Sequence, residues 1–240
     1  MFLSPLQEAR RCELTAFRPG APILMPTFVP PSDYIIRKAL GDFSIEINQE
    51  QLGQIQEYIK LLLAWNEKIN LTAIRDPLDM LYRHFCESMY AARVAQLDNC
   101  RLADIGTGGG FPGLPLKILA PDTEMFLIES NVKKATFVAE VIRTLGLTGA
   151  RVVVGRYEEL GEELSPIDVV LARALGEFEP LLRWASSQAI DAKRIVLWLG
   201  TKDADEVVKT VGWSWSEPVE VPKSLRRVIL VGSRVSVVYI

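Results

Sequence analysis

The sequence predicts an α/β fold, a doubly wound Rossmann-like sheet with an N-terminal helical extension. Three observations predict it. From Arg101 onward, short apolar runs alternate with helical patterns. The first run ends in a glycine-rich turn, within LADIGTGGGFPGLPLKI from Leu102 to Ile118. A second run, MFLI, then closes on Glu129, about twenty residues after the turn, where such sheets place a carboxylate.

The elements follow in chain order. Residues 1–44 carry the prolines of FRPG, APILMP and VPPSD and hold neither period for long, so a poorly ordered arm is expected. Residues 45–98 read as a helical subdomain. QLGQIQEYIKLLLAWNEKINL sets Leu52, Ile55, Ile59, Leu62, Leu63 and Asn66 on one side of a helix. Asp76 and Pro77 supply a cap and a first-turn proline for a second helix, LDMLYRHFCESMYAARVA.

Residues 99–240 hold the sheet. RLADI is strand one, EMFLI strand two, and the helix between them starts near Gly113. NVKKATFVAEVIRTLGL is a helix with Phe137, Val138, Val141, Ile142 and Leu145 inward, stopping at Gly146. ARVVV is strand three. PIDVVLARA, after a glutamate-rich helical turn, is strand four, and RIVLWL is strand five. PVEV and RRVILVG are expected to close the sheet as antiparallel edge strands.

Composition narrows the function classes. The chain has 240 residues, 49% of them hydrophobic, enough for a substantial core. No uncharged apolar run reaches the about 18 residues of a membrane span. The start, MFLSPLQEARR, lacks a basic n-region followed by an apolar h-region, which argues against secretion. Cys12, Cys86 and Cys100 are odd in number and far apart, which suits a reducing cytoplasm and not a disulfide framework. With His84 as the single histidine, no protein-built transition-metal site is expected. A monomer is expected.

The turn defines the ligand class. A strand that stops at such a turn and feeds a helix presents free backbone amides, and a carboxylate at the tip of the next strand takes ribose hydroxyls. Gly106, Gly108 and Gly110 are spaced G-x-G-x-G, not the dinucleotide G-x-G-x-x-G. No G-K-[ST] pair follows, so a triphosphate loop is excluded. Asp104 stands where it would repel a pyrophosphate but tolerate an ammonium or sulfonium group. S-adenosyl-L-methionine meets all three conditions. A glycine-rich turn that binds nothing, a methyltransferase of some other small molecule or protein, a non-catalytic S-adenosylmethionine-binding scaffold and a dehydrogenase are the competing readings.

Ligands in these sheets lie beyond the carboxyl ends of the strands. Those ends carry Asp104 and Gly106, Glu129, then Tyr157 and Glu158, then Arg173. Tyr157 can lie against an adenine face and Glu158 can meet its exocyclic amine. In the bland alternative Tyr157 is a half-buried packing residue and Glu158 a helix-dipole partner. Arg173 follows DVVLA, where an unpaired buried arginine would be costly, and it can reach a carboxylate or phosphate. The net charge is −3, so RNA would need a local basic face. Lys133, Lys134, Lys202, Arg226 and Arg227 are the candidates for it.

With these residues in view, the chain resembles the glucose-inhibited division protein B family, bacterial methyltransferases of guanine N7 in 16S ribosomal RNA. WNEKINLTAIRDPLDMLYRHFCES, LADIGTGGGFPGLPLKI, LIESNVKKATFVAEV, GRYEEL and LARAL carry the resemblance, from about Glu50 to the carboxyl end. It implies the class I S-adenosylmethionine-dependent methyltransferase fold and 16S ribosomal RNA or the 30S subunit as partner. It also implies cofactor contacts by Gly106, Phe111, Tyr157, Glu158 and Arg173. Two departures stand out. Leu199 occupies the usual lysine position at the end of strand five, and Glu87 the aspartate position of H-x-x-D-S.

Overall fold

The computed structural model describes residues 29–174 and 176–235. Helix α1 spans Asp33–Gly41 and α2 spans Gln49–Asn66. The next helix, α3, is continuous but of mixed pitch: α-helical over Pro77–Met80, π-helical over Leu81–Cys86, α-helical again over Glu87–Met89. A short α4, Ala91–Val94, follows. The sheet then alternates with helices: β1 Arg101–Ile105, α5 Gly113–Leu119, β2 Glu124–Glu129, α6 Val132–Leu145 and β3 Ala150–Val154. A single 3-10 turn, Tyr157–Glu159, leads to β4 Val169–Arg173, α7 Glu179–Ala185, β5 Arg194–Gly200 and α8 Thr201–Val207. The last strands are β6 Trp213–Trp215, β7 Val219–Glu220 and β8 Arg227–Arg234.

The sheet order is β3-β2-β1-β4-β5-β8-β6, with β7 also on β8. Strands β1 to β5 are parallel, and β8 is antiparallel to β5. The order reverses between β1 and β4, so the carboxyl ends of these strands form the crevice that such sheets use for ligands. Side chains alternate across the sheet as the pleat requires. Leu102, Met125, Leu127, Val169 and Leu171 join one core, while Ala103, Phe126, Ile128, Val170 and Ala172 join the other. The first core also contains Leu52, Ile55, Ile59 and Leu62 of α2 and Leu81 and Phe85 of α3. The N-terminal helices therefore share one hydrophobic core with α5 and α6.

Helix starts follow their caps. Asn48 and Gln51 form a reciprocal capping box on α2, each side chain 2.9 Å from the other's amide. Gln51 Nε2 also donates to Ile118 O at 2.9 Å, tying α2 to the end of α5. Asp76 Oδ1 accepts from the amides of Leu78 and Asp79, each at 2.9 Å, and opens α3.

Three expectations are corrected. The arm anticipated over residues 1–44 holds folded structure in its last part. Ile36, Ala39 and Leu40, spaced to share a helix face, are buried, as is Phe43. Residues 1–28 lie outside the described residues. The helix anticipated over LDMLYRHFCESMYAARVA contains a π segment and is interrupted at Tyr90. The final strands do not simply edge the sheet. Val228, Ile229 and Leu230 are all buried, so β8 has two apolar faces and sits between β5 and an unanticipated β6.

Candidate cofactor site and its surroundings

The glycine turn is held from beneath by Asp104, which is fully buried at the end of β1. Its Oδ2 accepts from Thr107 Oγ1 at 2.6 Å and from the Gly113 amide at 2.8 Å. Its Oδ1 is buried and has no partner among the described residues. Burial raises its carboxyl to about 7, with the two hydrogen bonds opposing that rise. Gly113 has to be glycine, because a Cβ would lie 2.7 Å from Asp104 Oδ2 and 2.8 Å from Leu127 Cδ2. Gly106, Gly108 and Gly110 have φ of 65°, 58° and 90°, a region that favours glycine.

Glu129 closes the loop from the side. Its Oε2 accepts from the Gly108 amide at 2.9 Å and its Oε1 from the Asn131 amide at 2.8 Å. A cavity of about 390 Å³ opens beside it. Gly106, Ser130, Gly155, Tyr157, Glu158 and Glu177 are among its lining residues. That volume is within the usual range for small-molecule sites. Tyr157 is set edge-on against Trp184, with centroids 5.3 Å apart, and Arg156 lies 3.5 Å from Glu158. The walls carry the Tyr157 ring, the Glu158 and Glu177 carboxylates, the Arg156 guanidinium and apolar side chains such as Ile105 and Ile128. They fit a nucleoside, with a ring to lie against the base and carboxylates for its amine and hydroxyls, while Asp104 lies beneath the loop and not on the cavity wall.

Gly106, Tyr157 and Glu158 line this cavity, and Asp104, Gly108 and Glu129 hold the loop. Two expected cofactor contacts are placed elsewhere. Phe111 is sandwiched between Tyr58, at 5.4 Å and 5°, and His84, at 4.4 Å and 15°. It is an apolar anchor between the loop and the helices, not part of the cavity wall. Arg173 turns toward α3, donating from Nη2 to Arg83 O at 2.7 Å and to Glu87 Oε2 at 3.2 Å. Arg227 reaches the same Glu87 oxygen at 2.8 Å. Burial lowers Arg173 to about 10, partly offset by Glu87, and burial raises Glu87 against the pull of both arginines. The cluster is Arg173–Glu87–Arg227, a brace between β4, α3 and β8. Where a role at the cofactor was foreseen, Arg173 pairs, among the described residues, with the Glu87 carboxylate of α3.

His84 Nε2 lies 2.7 Å from Thr72 Oγ1. Burial, then Arg173 and two other arginines, lower it to about 3, so it is neutral. Thr72 is fixed in turn by Asn66, which accepts from the Leu71 and Thr72 amides at 2.9 and 3.1 Å and donates to Thr72 O at 2.9 Å. Sequence reasoning placed Asn66 on an apolar face but did not see this clamp, nor Tyr58, whose hydroxyl donates to Gly109 O. A polar side chain on an apolar helix stripe was the available signal for both.

Of the RNA candidates, Lys133, Lys202 and Arg226 are exposed and Lys134 is half-buried. Arg227 is engaged by Glu87, so it is corrected from a free phosphate contact to a structural ion-pair member. Leu199 is buried in the core shared by α7 and α8.

A sheet of this order with a glycine loop and a cavity at its carboxyl ends defines the class I S-adenosylmethionine-dependent methyltransferases. In keeping with that fold, a solved S-adenosylmethionine-dependent methyltransferase from Aquifex aeolicus superposes with a TM-score of 0.52 at 16% identity, covering 67% of this chain and 94% of that one. The family model described as rRNA small subunit methyltransferase G matches residues 51–221. The ribosomal RNA small subunit methyltransferase G of Chloroflexus aggregans is 36% identical over 205 residues, 81% of this chain and 86% of the relative. That of Roseiflexus castenholzii is 35% identical over 213 residues, 83% and 89%. The chain belongs to the rRNA small subunit methyltransferase G family.

Proposed function

We propose that the protein transfers a methyl group from S-adenosylmethionine to N7 of a guanosine in 16S ribosomal RNA. The observation that carries this reading is the cavity beside the Gly106–Gly110 loop, lined by Tyr157, Glu158 and Glu177 among others, in a chain of this family. When bound, the cofactor supplies an electrophilic methyl group on a sulfonium. Gly106, Tyr157 and Glu158 would hold its nucleoside end, and Glu129 would take the ribose hydroxyls while keeping the Gly108 amide in place. Asp104 would favour its cationic end electrostatically.

Guanine N7 carries an exposed lone pair, so no general base has to remove a proton first. The protein's work is alignment, which is worth about 7–11 kcal/mol in favourable cases. In agreement with this, His84 is neutral and packs on Phe111, apart from the cavity wall. LARAL at the end of β4 also argues against an exocyclic-amine substrate, which would call for an N-P-P-Y-like acceptor there. The RNA would be met by Lys133, Lys134, Lys202 and Arg226, with Arg173 holding α3 in position beside the site. Lys202 is the nearest cation along the chain after Leu199 and would stand in for the missing lysine.

We read the enzyme as a cytoplasmic monomer acting on 16S RNA or the 30S particle. No helix among the described residues is long and apolar enough to cross a membrane. Labelled methyl transfer to naked 16S RNA, 30S particles and protein extracts, in parallel, tests the reading. Strand scission specific for 7-methylguanosine then locates the product. Label in the protein extract alone would overturn it.

A further inference from the structure

The glycine loop has little conformational stiffness of its own. Three of its residues have positive φ, and glycine loses more backbone freedom on ordering than any other residue. Its shape depends on groups outside it. Two are in the sheet, Asp104 beneath and Glu129 at the side. The third comes from α2. The Tyr58 hydroxyl, fully buried, donates to Gly109 O. It fills the space that a Cβ on Gly110 would need. Its ring lies flat on Phe111 and edge-on to Phe85, with centroids 5.4 and 5.0 Å apart. Burial, then the nearby Asp104, raise its hydroxyl well above the ordinary tyrosine range, so it remains a donor.

We infer that Tyr58 is a positioning residue for the cofactor: through Gly109 O and Phe111 it holds the loop in the shape that receives the ligand. The N-terminal helices thereby become part of the cofactor site without touching the ligand. The hydroxyl adds little to packing, because the ring keeps its stack without it. It fixes one carbonyl next to Gly108, whose amide Glu129 holds from the other side. Without the hydroxyl, Gly109 O is left unpaired and the loop gains alternatives that place the Gly106–Gly108 backbone wrongly.

The test is Tyr58→Phe, with Tyr82→Phe as a matched control. Tyr82 also loses a hydroxyl bond within the helical part, 3.3 Å to Asp42 Oδ2, but does not meet the loop. Calorimetry with S-adenosylhomocysteine, well below either melting temperature, should show Tyr58→Phe raising Kd about tenfold, the equivalent of one lost buried hydrogen bond. In methyl transfer, KM for S-adenosylmethionine should rise while kcat at saturating cofactor stays within about twofold of the parent. Hydrogen exchange of the Gly108–Phe111 amides should quicken in Tyr58→Phe alone, a readout that needs no ligand. A Kd within twofold of the parent, or an equal loss in Tyr82→Phe, would overturn the inference. So would faster exchange spread evenly over α2 and the sheet.

Discussion

Burial raises the Asp104 carboxyl from 3.8 to about 7 and lowers His84 from 6.5 to about 3, and the two shifts act oppositely on stability. A raised carboxyl binds its proton more tightly folded than unfolded. Its contribution is fully present below about pH 4 and is lost as pH rises toward 7. A lowered histidine resists protonation when folded, so stability falls as pH drops from about 6.5 toward 3. In the parent these slopes partly cancel in the acid range. Asp104→Asn removes the first, so its melting temperature should gain on the parent's as pH rises from about 4 to about 7. A gap that is constant across that range would show that Asp104 titrates normally. Glu129→Ala is the second prediction at this scale. It removes the expected ribose partner and frees the Gly108 amide, and should weaken S-adenosylhomocysteine binding by about 1.5–3 kcal/mol. A calorimetric loss below about 0.3 kcal/mol would exclude that role.

The loop and the brace behave as elements. At Gly108 a Cβ would meet only Gly106 O, at 3.8 Å, so Gly108→Val carries dihedral strain but no internal clash. It should stay folded by circular dichroism and lose cofactor binding. Gly110→Val instead collides with the Tyr58 hydroxyl and with Leu114, and should lose the fold. Equal stability of the two variants would refute this division of the loop. In the brace, Glu87 compensates two guanidiniums. Glu87→Ala leaves the half-buried Arg173 and Arg227 side by side without their carboxylate and should destabilise in denaturant unfolding, by less than the about 3–5 kcal/mol of a fully buried pair. Arg173→Ala should cost less, because Glu87 keeps Arg227. Arg173→Ala should also slow methyl transfer at least tenfold, about 1.4 kcal/mol, by releasing α3 beside the site.

What was legible in the sequence follows from the range of the forces involved. β1 and β3 were readable to the residue: β1, buried along Leu102–Ile105, is an apolar run closed by the glycine turn, and β3, a half-exposed edge strand, is a β-branched run ended by Gly155. The loop and Glu129 were readable for the same local reason. The direction of Arg173 was not, since its partner Glu87 is 86 positions away. Nor was the Phe111 stack, whose three rings come from α2, α3 and the loop. The π segment over Leu81–Cys86 leaves no periodic trace distinct from an ordinary helix. α1 was hidden because its apolar residues follow a proline-rich stretch.

For the whole molecule, an enzyme with a net charge of −3 has to approach a polyanion through a few local cations. Arg226 is exposed on the turn before β8, and its carbonyl accepts from the Thr201 amide at the start of α8. That bond brings the β8 turn alongside Lys202. Arg227, one residue on, is held by Glu87. Neighbouring arginines of identical chemistry should therefore respond differently to the same substitution. RNA affinity should fall as potassium chloride rises, because each neutralised phosphate releases counterions. Arg226→Gln should reduce the slope of log K against log salt by about 0.7–0.9, one phosphate contact, and leave the melting temperature near the parent's. Arg227→Gln should lower the melting temperature and change the slope little. The titration is read on 16S RNA for the parent and both variants. Slope changes of equal size at the two positions would mean that Arg227 leaves Glu87 to meet the RNA. A flat slope in the parent would remove phosphate recognition, and with it the proposed substrate.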